Sequence, residues 1–467
     1  MPTRWQLDCL RVRIVSLRSD IERVDQKDHP YPEPGLIYRA LVEVINARSD
    51  LLEDSVQLYS LENEKGSRKL HETFESIAQD MQEIARVFNW ASRVDSARIP
   101  FEILRSLSWV AKHVLGTRCD AVVYLDPDYD YSILSCRRIF ESMNWERYWD
   151  HVQTSLLADD HSTVLLLGFP SPDAGSILVH ALAAHEFGHE LAYRSYEALL
   201  AICERRVAEA KVKYDSDLQD YISAWAYKRE VVAKGEAYEP RRVNVSVWLE
   251  EIAEHWLVEV FSDLVAARLV GPAFLAALDR ILLGLGTPTY THPPTDLRRD
   301  IVRKYLQKIL PHVVEDPVWK PLFIDNRGTD TRDLLWRIGR DICLSSFEEL
   351  STILESIPTP LNDTGNLSEL NEMHEYIDHL APPSVPLNIN GKMAGPDSFW
   401  LIMYGAWHYR LGPRFEKFAE SCGSKNDLAK AESALGNLVL QALHSLELHY
   451  RWNRSQTPYN GGGAYVS

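Results

Sequence analysis

The chain has 467 residues, of which 45% are hydrophobic and 10% aromatic, a composition that suffices for a full core and excludes a disordered protein. Its formal net charge of −17 argues against nucleic acid or an anionic membrane as the main partner, because both are bound through basic patches. The 6 cysteines include no CxxC pair and residues 1–19 carry charges throughout, so we expect a cytoplasmic protein without a disulfide framework or a signal peptide.

The N-terminal part of the chain is rich in helical periodicity. Three segments have apolar residues at helical spacing: 7–24, 36–58 and 70–90. Two later runs, 121–125 and 163–167, have the length and the composition of strands. We therefore expect a mainly α fold with a small β-sheet (α+β), in which an N-terminal helical region covers 1–117.

The run His185-Glu186-Phe187-Gly188-His189 follows the second strand-like segment. Positions i and i+4 of a helix lie on the same face, so both imidazoles can reach one metal ion. Zn²⁺ binds neutral imidazole, and a catalytic zinc site combines three protein ligands with an open position for water. The carboxylate of Glu186 is placed to accept a proton from that water. The run therefore predicts a zinc hydrolase site with Glu186 as the general base.

The residues around this run predict a helix that faces the protein interior. Residues 171–173, Ser-Pro-Asp, are typical of a helix start. Both histidines are in line with Leu178 and Leu182 at helical spacing, so they face inward, where a metal can supply the partners that buried imidazoles need. Gly188 costs a helix about 1 kcal/mol relative to alanine, which indicates that another segment approaches the backbone closely there.

A third ligand is predicted on another amphipathic helix, over 248–270. Glu259 and Asp263 are four residues apart on one face of this helix. Glu259 can bind zinc while Asp263 accepts a hydrogen bond from the distal nitrogen of a liganding histidine. Two alternatives stay open: the glutamates within 250–254 make a solvated acidic stripe possible, and His255, one turn before Glu259, is a competing ligand candidate.

Taken in order, these motifs resemble the gluzincin metallopeptidases, in which HExxH is followed at long range by ExxxD on a second helix; thermolysin is the familiar member. The run 291–298, Thr-His-Pro-Pro-Thr-Asp-Leu-Arg, is similar to the His-Pro-Pro segment that follows the zinc ligands in the family of the CaaX prenyl protease and the heat-shock protease HtpX. The wide separation of His189 and Glu259 also resembles that family. The resemblance extends over about residues 160–305.

The resemblance implies a zincin-like core with Glu186 as general base and three zinc ligands: His185, His189 and Glu259. It also implies that His292 and Arg298 lie at the site, where they stabilise the oxyanion or orient Glu259. The chain departs from these relatives, which are integral membrane enzymes, because it has no run of about 18–20 apolar residues. The acidic residue of the His-Pro-Pro run is also shifted, to Asp296. Prenylated substrates are therefore not expected.

In gluzincins the strand before the metal helix is a sheet edge to which an extended peptide adds as a further strand. In this chain the resemblance gives that substrate-binding role to five consecutive residues: Val164, Leu165, Leu166, Leu167 and Gly168. A buried structural strand is an equally consistent interpretation of the same run.

We expect the zincin-like core over 118–310, with a charged helical insertion near 198–240, and a C-terminal helical region over 311–467 that ends in a flexible tail. One function that fits is a soluble zinc endopeptidase that holds about one zinc per chain and hydrolyses a peptide or protein substrate through a zinc-activated water. The alternative is a protein-interaction or sensor module with a latent or vestigial metal site, which binds a protein partner through its helical extensions. Intact Glu186 favours the enzyme, because a structural site needs no general base.

Overall fold

The computed structural model is mostly helical with a small sheet, as the sequence predicts. It describes residues 2, 4–25, 33–58, 64–92, 101–116, 119–126, 131–135, 163–170, 176–221, 245–282, 289–323, 333–357, 359, 361, 367–383, 388–389, 392–393, 397–424 and 427–456. Two compact units divide the chain, 1–175 and 176–467. None of the helices in the described ranges has the length and apolar character that crossing a membrane requires.

The first unit contains the N-terminal helices and a three-stranded sheet. In α1 the buried residues Leu7, Leu10 and Ile14 recur at helical spacing, which is the pattern that predicts this helix. The described elements of this unit are α1 (Arg4–Asp25), α2 (Glu33–Leu58), α3 (Glu64–Ala91), α4 (Phe101–Leu115), β1 (Cys119–Asp126), β2 (Ser132–Ser135) and β3 (Thr163–Pro170).

The strand β3 lies in the middle of the sheet, whose order is β1-β3-β2. It runs parallel to β1 along its whole length and pairs antiparallel with β2 over 165–168. The prediction gave a peptide-binding edge to Val164, Leu165, Leu166, Leu167 and Gly168. Residues 165–168 are instead paired on both sides, so the edge prediction is wrong for them, while Val164 pairs with β1. The three leucines are fully buried, as in a strand covered on both faces, which agrees with the structural interpretation.

In its described residues the second unit contains helices, two short 3₁₀ segments (Ile177–Leu182 and Lys320–Phe323) and a pair of short antiparallel strands. The described helices and strands are α5 (Ala183–Arg194), α6 (Tyr196–Lys213), α7 (Val245–Val270), α8 (Ala273–Leu282), α9 (Thr295–Ile309), α10 (Pro311–Glu315), α11 (Leu334–Leu354), α12 (Leu367–Asp378), β4 (Asn388–Ile389), β5 (Lys392–Met393), α13 (Asp397–Leu411), α14 (Arg414–Ser421) and α15 (Leu428–Gln456).

The helix α7 is the centre of this unit. It contacts α5, α6, α8, α9, α11 and α13, and it is therefore apolar around most of its circumference rather than along one stripe. Trp256, Val260, Phe261 and Leu264 are all at most 1% exposed. Glu259 and Asp263 lie on this buried helix, so their polar side chains need partners in the protein interior.

The division of the chain differs from the predicted domain boundaries. The strand β1 packs on α2, α3 and α4, so the sheet belongs with the N-terminal helices and not with 176–310. The described residues show no boundary at the expected position 310, because α9 packs on α10 and α11, and all three belong to the second unit. Residues 222–240 of the predicted charged insertion and the predicted tail, which begins at Asn460, lie outside the described residues.

Candidate metal centre

The two histidine candidates lie on α5, which begins at Ala183 directly after the 3₁₀ segment Ile177–Leu182. The sequence predicts one continuous α-helix here, and the structure instead tightens its first part to 3₁₀ geometry. All side chains of the 3₁₀ segment are buried, which confirms the inward face predicted from the apolar spacing. The helix start predicted at 171–173 lies outside the described residues.

Gly188 allows α5 and α7 to cross at close range. A Cβ atom placed on Gly188 would lie 2.5 Å from the Cα of Ser262, far inside van der Waals contact. The close approach predicted from this mid-helix glycine is therefore confirmed, and the segment concerned is α7. The contact brings the histidines of α5 opposite Glu259, which precedes Ser262 by less than one helical turn.

Three potential ligand atoms converge between the two helices. The Nε2 atoms of His185 and His189 are 3.0 Å apart. Glu259 places Oε2 3.5 Å from the Nε2 of His185 and Oε1 3.4 Å from the Nε2 of His189. Ligand atoms on a tetrahedral zinc with bonds of about 2.0–2.1 Å lie about 3.3 Å from one another. The spacing of the three groups therefore fits a single ion of that size.

The site is enclosed by protein. His185 is 8% exposed and Glu259 is 7% exposed, so both side chains are removed from bulk water. The ring of Phe274 on α8 is nearly parallel to the ring of His185, at 8° with centroids 6.1 Å apart. These buried donors could hold a metal ion between them.

Asp263 and Arg298 contact the candidate ligands on the side away from the possible metal position. Asp263 Oδ1 lies 2.9 Å from the Nδ1 of His185, on the side of the ring that faces away from the ligand group. Arg298, in the first turn of α9, donates from Nε and Nη2 to the two Asp263 oxygens, each at 2.7 Å. Its Nη1 lies 3.5 Å from Glu259 Oε2. Of the two roles implied for Arg298, these contacts fit the orientation of Glu259 and Asp263.

Glu186 is buried beside the first ligand. It follows His185 on α5 and is 4% exposed. Burial lowers the pKa of Arg298, but the charges of Asp263, Glu259 and Glu186 raise it above the ordinary range, so the Glu186 carboxylate lies within electrostatic reach of this guanidinium. The carboxylate is therefore removed from bulk water and close enough to Arg298 to interact with its charge.

His292 reaches the same group from the segment before α9. Its Nε2 lies 3.7 Å from Glu259 Oε1, while 51% of its side-chain surface is exposed. The side chain therefore stands at the solvent side of the group, where an entering molecule would meet it. The expectation that the His-Pro-Pro run brings His292 to the ligands agrees with this geometry. His255, the competing ligand, is instead exposed and contacts Tyr290.

Burial and neighbouring charges shift the pKa values of the three side chains in different directions. Burial lowers the pKa of His185, but the contacts with Asp263 and Glu259 outweigh it and raise the pKa to about 10. Burial and the charge on His185 lower the pKa of His189 to about 4. Burial raises the pKa of Glu259, but His185 and Arg298 hold it well below its usual range. A metal ion that binds this group would therefore displace a proton from His185.

One further observation is consistent with a metal ion. Among the described residues, the buried atom Oε2 of Glu259 makes no hydrogen bond, and the Nε2 of His185 and the Nη1 of Arg298 each lie 3.5 Å from it. The ligand atoms of His185, His189 and Glu259 all lie within 4.8 Å of one another. This buried group can hold a metal ion, and its two imidazoles and one carboxylate are donors that zinc accepts.

Sequence reasoning missed the residues that support His292. Thr289, Thr291 and Trp256 form hydrogen bonds around the turn that precedes the two prolines. The run Thr-Tyr-Thr before the histidine predicts a turn. It does not predict the hydrogen bond between a threonine hydroxyl and a ring nitrogen of His292, because that contact depends on the backbone conformation. Trp256 lies one turn before Glu259 and counts as an ordinary core residue by its spacing.

Comparison with known proteins finds no matching family model, no similar curated protein and no similar solved structure.

Proposed function

We propose that the chain is a zinc-dependent metalloendopeptidase that hydrolyses peptide bonds in a peptide or protein substrate. The observation that carries this proposal is the buried group of His185, His189 and Glu259, with buried Glu186 next to the first ligand. Two histidines and one glutamate are a donor set used by catalytic zinc in peptidases. Within the part of the chain that the structure describes, the group has three members, which leaves a fourth zinc position for water or substrate.

The ligand residues and their supports have distinct tasks. Zinc held by His185, His189 and Glu259 supplies Lewis acidity, which makes a water molecule more acidic and polarises a peptide carbonyl. Asp263 keeps the proton of His185 on Nδ1, so that the lone pair on Nε2 faces the ligand group. Arg298 fixes Asp263 through two parallel hydrogen bonds, a geometry that a single-point cation cannot reproduce.

Glu186 transfers the protons of the reaction. It accepts a proton from water as the water oxygen forms a bond to the peptide carbon. It then delivers that proton to the amide nitrogen as the carbon–nitrogen bond breaks, giving a carboxylic acid and an amine. Burial at 4% exposure shields this carboxylate from bulk water during both transfers.

His292 acts on the developing oxyanion. Its Nε2 faces the ligand group from the solvent side, so an N–H at that atom can donate to the carbonyl oxygen of a bound peptide as negative charge develops there. Its exposure leaves room for a substrate to approach, in contrast to Arg298, which is 6% exposed and engaged with two carboxylates.

The test compares Glu186→Gln with the wild type, each loaded with zinc and incubated with a mixed peptide library whose cleavage products are read by mass spectrometry. Glu190→Gln is the matched control, because Glu190 is equally buried on the same helix and pairs with Arg194. We expect cleavage by the wild type and the control, and at least about a 10²-fold loss in Glu186→Gln with zinc retained. Absence of cleavage by the zinc-loaded wild type, or equal cleavage by Glu186→Gln, would contradict the proposal and favour the interaction or sensor alternative.

A further inference from the structure

The segment 289–292 forms a turn closed by its own polar groups. The backbone N–H of Thr289 donates to the carbonyl oxygen of His292 at 3.0 Å. In return the backbone N–H of His292 donates to the hydroxyl oxygen of Thr289 at 2.9 Å. The paired prolines that follow restrict the backbone after His292. The position of His292 is thus set locally by the turn, although its side chain is half exposed.

Trp256 fixes this turn to the helix that carries Glu259. Its indole N–H donates to the carbonyl oxygen of Thr289 at 3.1 Å. The indole is fully buried and stacks on Trp336 of α11 at 7°, with ring centroids 5.4 Å apart. Because Trp256 precedes Glu259 by one helical turn, the turn and the ligand share one rigid support.

The two ring nitrogens of His292 have different surroundings. Nδ1 lies 2.8 Å from the hydroxyl oxygen of Thr291. Nε2 faces the Glu259 carboxylate, with 3.7 Å to Oε1. A neutral imidazole carries one N–H and one lone pair, and a lone pair that points at an anionic oxygen is repelled. The favourable arrangement has the proton on Nε2 and the Thr291 hydroxyl donating to Nδ1.

The second threonine completes this arrangement. The hydroxyl oxygen of Thr289 accepts the His292 backbone N–H and lies 3.4 Å from the hydroxyl oxygen of Thr291. The Thr289 hydroxyl also lies 3.5 Å from Nδ1 of His292, farther than the 2.8 Å of Thr291. The Thr289 proton can therefore be directed to Thr291, whose own proton goes to Nδ1. Hydrogen bonds in such a chain polarise one another in the same direction. Both hydroxyls then favour the same tautomer of His292.

We propose that Thr291 is a positioning residue, which donates its hydroxyl proton to Nδ1 of His292 and so holds this ring as an Nε2–H donor aimed at the metal group. The part of this proposal that assigns the donor to a substrate oxyanion rests on the proposed peptidase function. The hydroxyl supplies orientation without adding a charge, so the ring presents its Nε2–H where the substrate carbonyl enters.

The experiment reads the tautomer directly. Full-length protein with ¹⁵N-labelled histidine is loaded with zinc, and the ring nitrogens of His292 are assigned by their loss in His292→Gln. We expect the wild type to show a protonated Nε2 and an unprotonated Nδ1. Thr291→Val, which keeps the β-branched shape, should lose this single-tautomer signature, and Thr291→Ser should keep it. Thr352→Val is the matched control, because that hydroxyl bonds only a backbone carbonyl on α11 among the described residues.

Turnover of any peptide that the wild type cleaves is measured on the same proteins. Thr291→Val should lower kcat about 10-fold with little change in KM, since a donor that acts on the oxyanion is weakened and not removed, and Thr291→Ser should restore it. A protonated Nδ1 in the wild type, or an unchanged ring signature in Thr291→Val, would overturn the proposal. If the wild type shows the Nε2–H tautomer but cleaves no peptide, the result would support the hydrogen bond from Thr291 to His292 and contradict the peptidase function instead.

Discussion

Arg298 grips Asp263 through two parallel hydrogen bonds of 2.7 Å, and both side chains are buried. Asp263 in turn contacts the Nδ1 of His185, so the guanidinium sets the orientation of a ligand that it does not touch. The pair thus connects α9 to the group formed by His185, His189 and Glu259. Arg298 lies far from His185 in the sequence, yet the orientation of the His185 ring depends on it.

Arg298→Lys should weaken zinc binding about 10–100-fold, because one ammonium cannot hold both Asp263 oxygens. The variant should also unfold at lower denaturant, since a buried carboxylate is left poorly paired. Chelator competition gives the affinity. Arg299→Lys is the control, because Arg299 pairs with Asp279 away from the ligands. Unchanged zinc affinity in Arg298→Lys would show that Asp263 needs no bidentate partner.

Zinc affinity should rise about tenfold per pH unit between about pH 5 and pH 9. The sign follows from the pKa values without metal. The pKa of His185 is raised to about 10, so zinc must displace a proton from this ring over the whole range. The pKa of His189 is lowered to about 4 and that of Glu259 is also lowered, so neither group releases a proton when zinc binds. Calorimetry in buffers of different ionisation enthalpy should record about one proton released per zinc at pH 8. Proton release near zero would contradict the protonated state of His185.

Gly188→Ala should destabilise the fold by about 1–3 kcal/mol, because the added methyl group would meet the Ser262 backbone at 2.5 Å. Gly436→Ala on α15 is the matched control. There the nearest atom is a side-chain carbon of Ile177 at 3.5 Å, an ordinary contact, so alanine should be neutral or stabilise the helix by up to about 1 kcal/mol. Urea unfolding of the metal-free protein measures both. Equal stabilities of the two variants would argue against the close crossing of α5 and α7.

Each half of the candidate metal group could be predicted from local spacing, whereas the meeting of the two halves was implied by the resemblance to the gluzincins. His185 and His189 share a helix face by their spacing, as do Glu259 and Asp263, and an inward face can be recognised from the neighbouring leucines. Gly188 likewise indicated a close contact on α5 from sequence alone, because a glycine in mid-helix is unfavourable unless another segment approaches it.

The parts that could not be predicted depend on long-range pairing. Whether the strand 163–170 is an edge or a centre is decided by β1 and β2, which flank it on both sides, and no local pattern records that choice. The division at 175 likewise follows from the packing of β1 on the N-terminal helices. The contact between Thr291 and His292 depends on the conformation of one turn. Polar residues in a loop do not specify that conformation by themselves.

The metal content of the purified full-length protein tests the central claim most directly. Elemental analysis should find about one zinc per chain in the wild type and in Glu186→Gln, and much less in His189→Ala, which removes one of three ligands. A wild type without bound metal after exposure to zinc, or full zinc retained in His189→Ala, would contradict the assignment of His185, His189 and Glu259 as a zinc site.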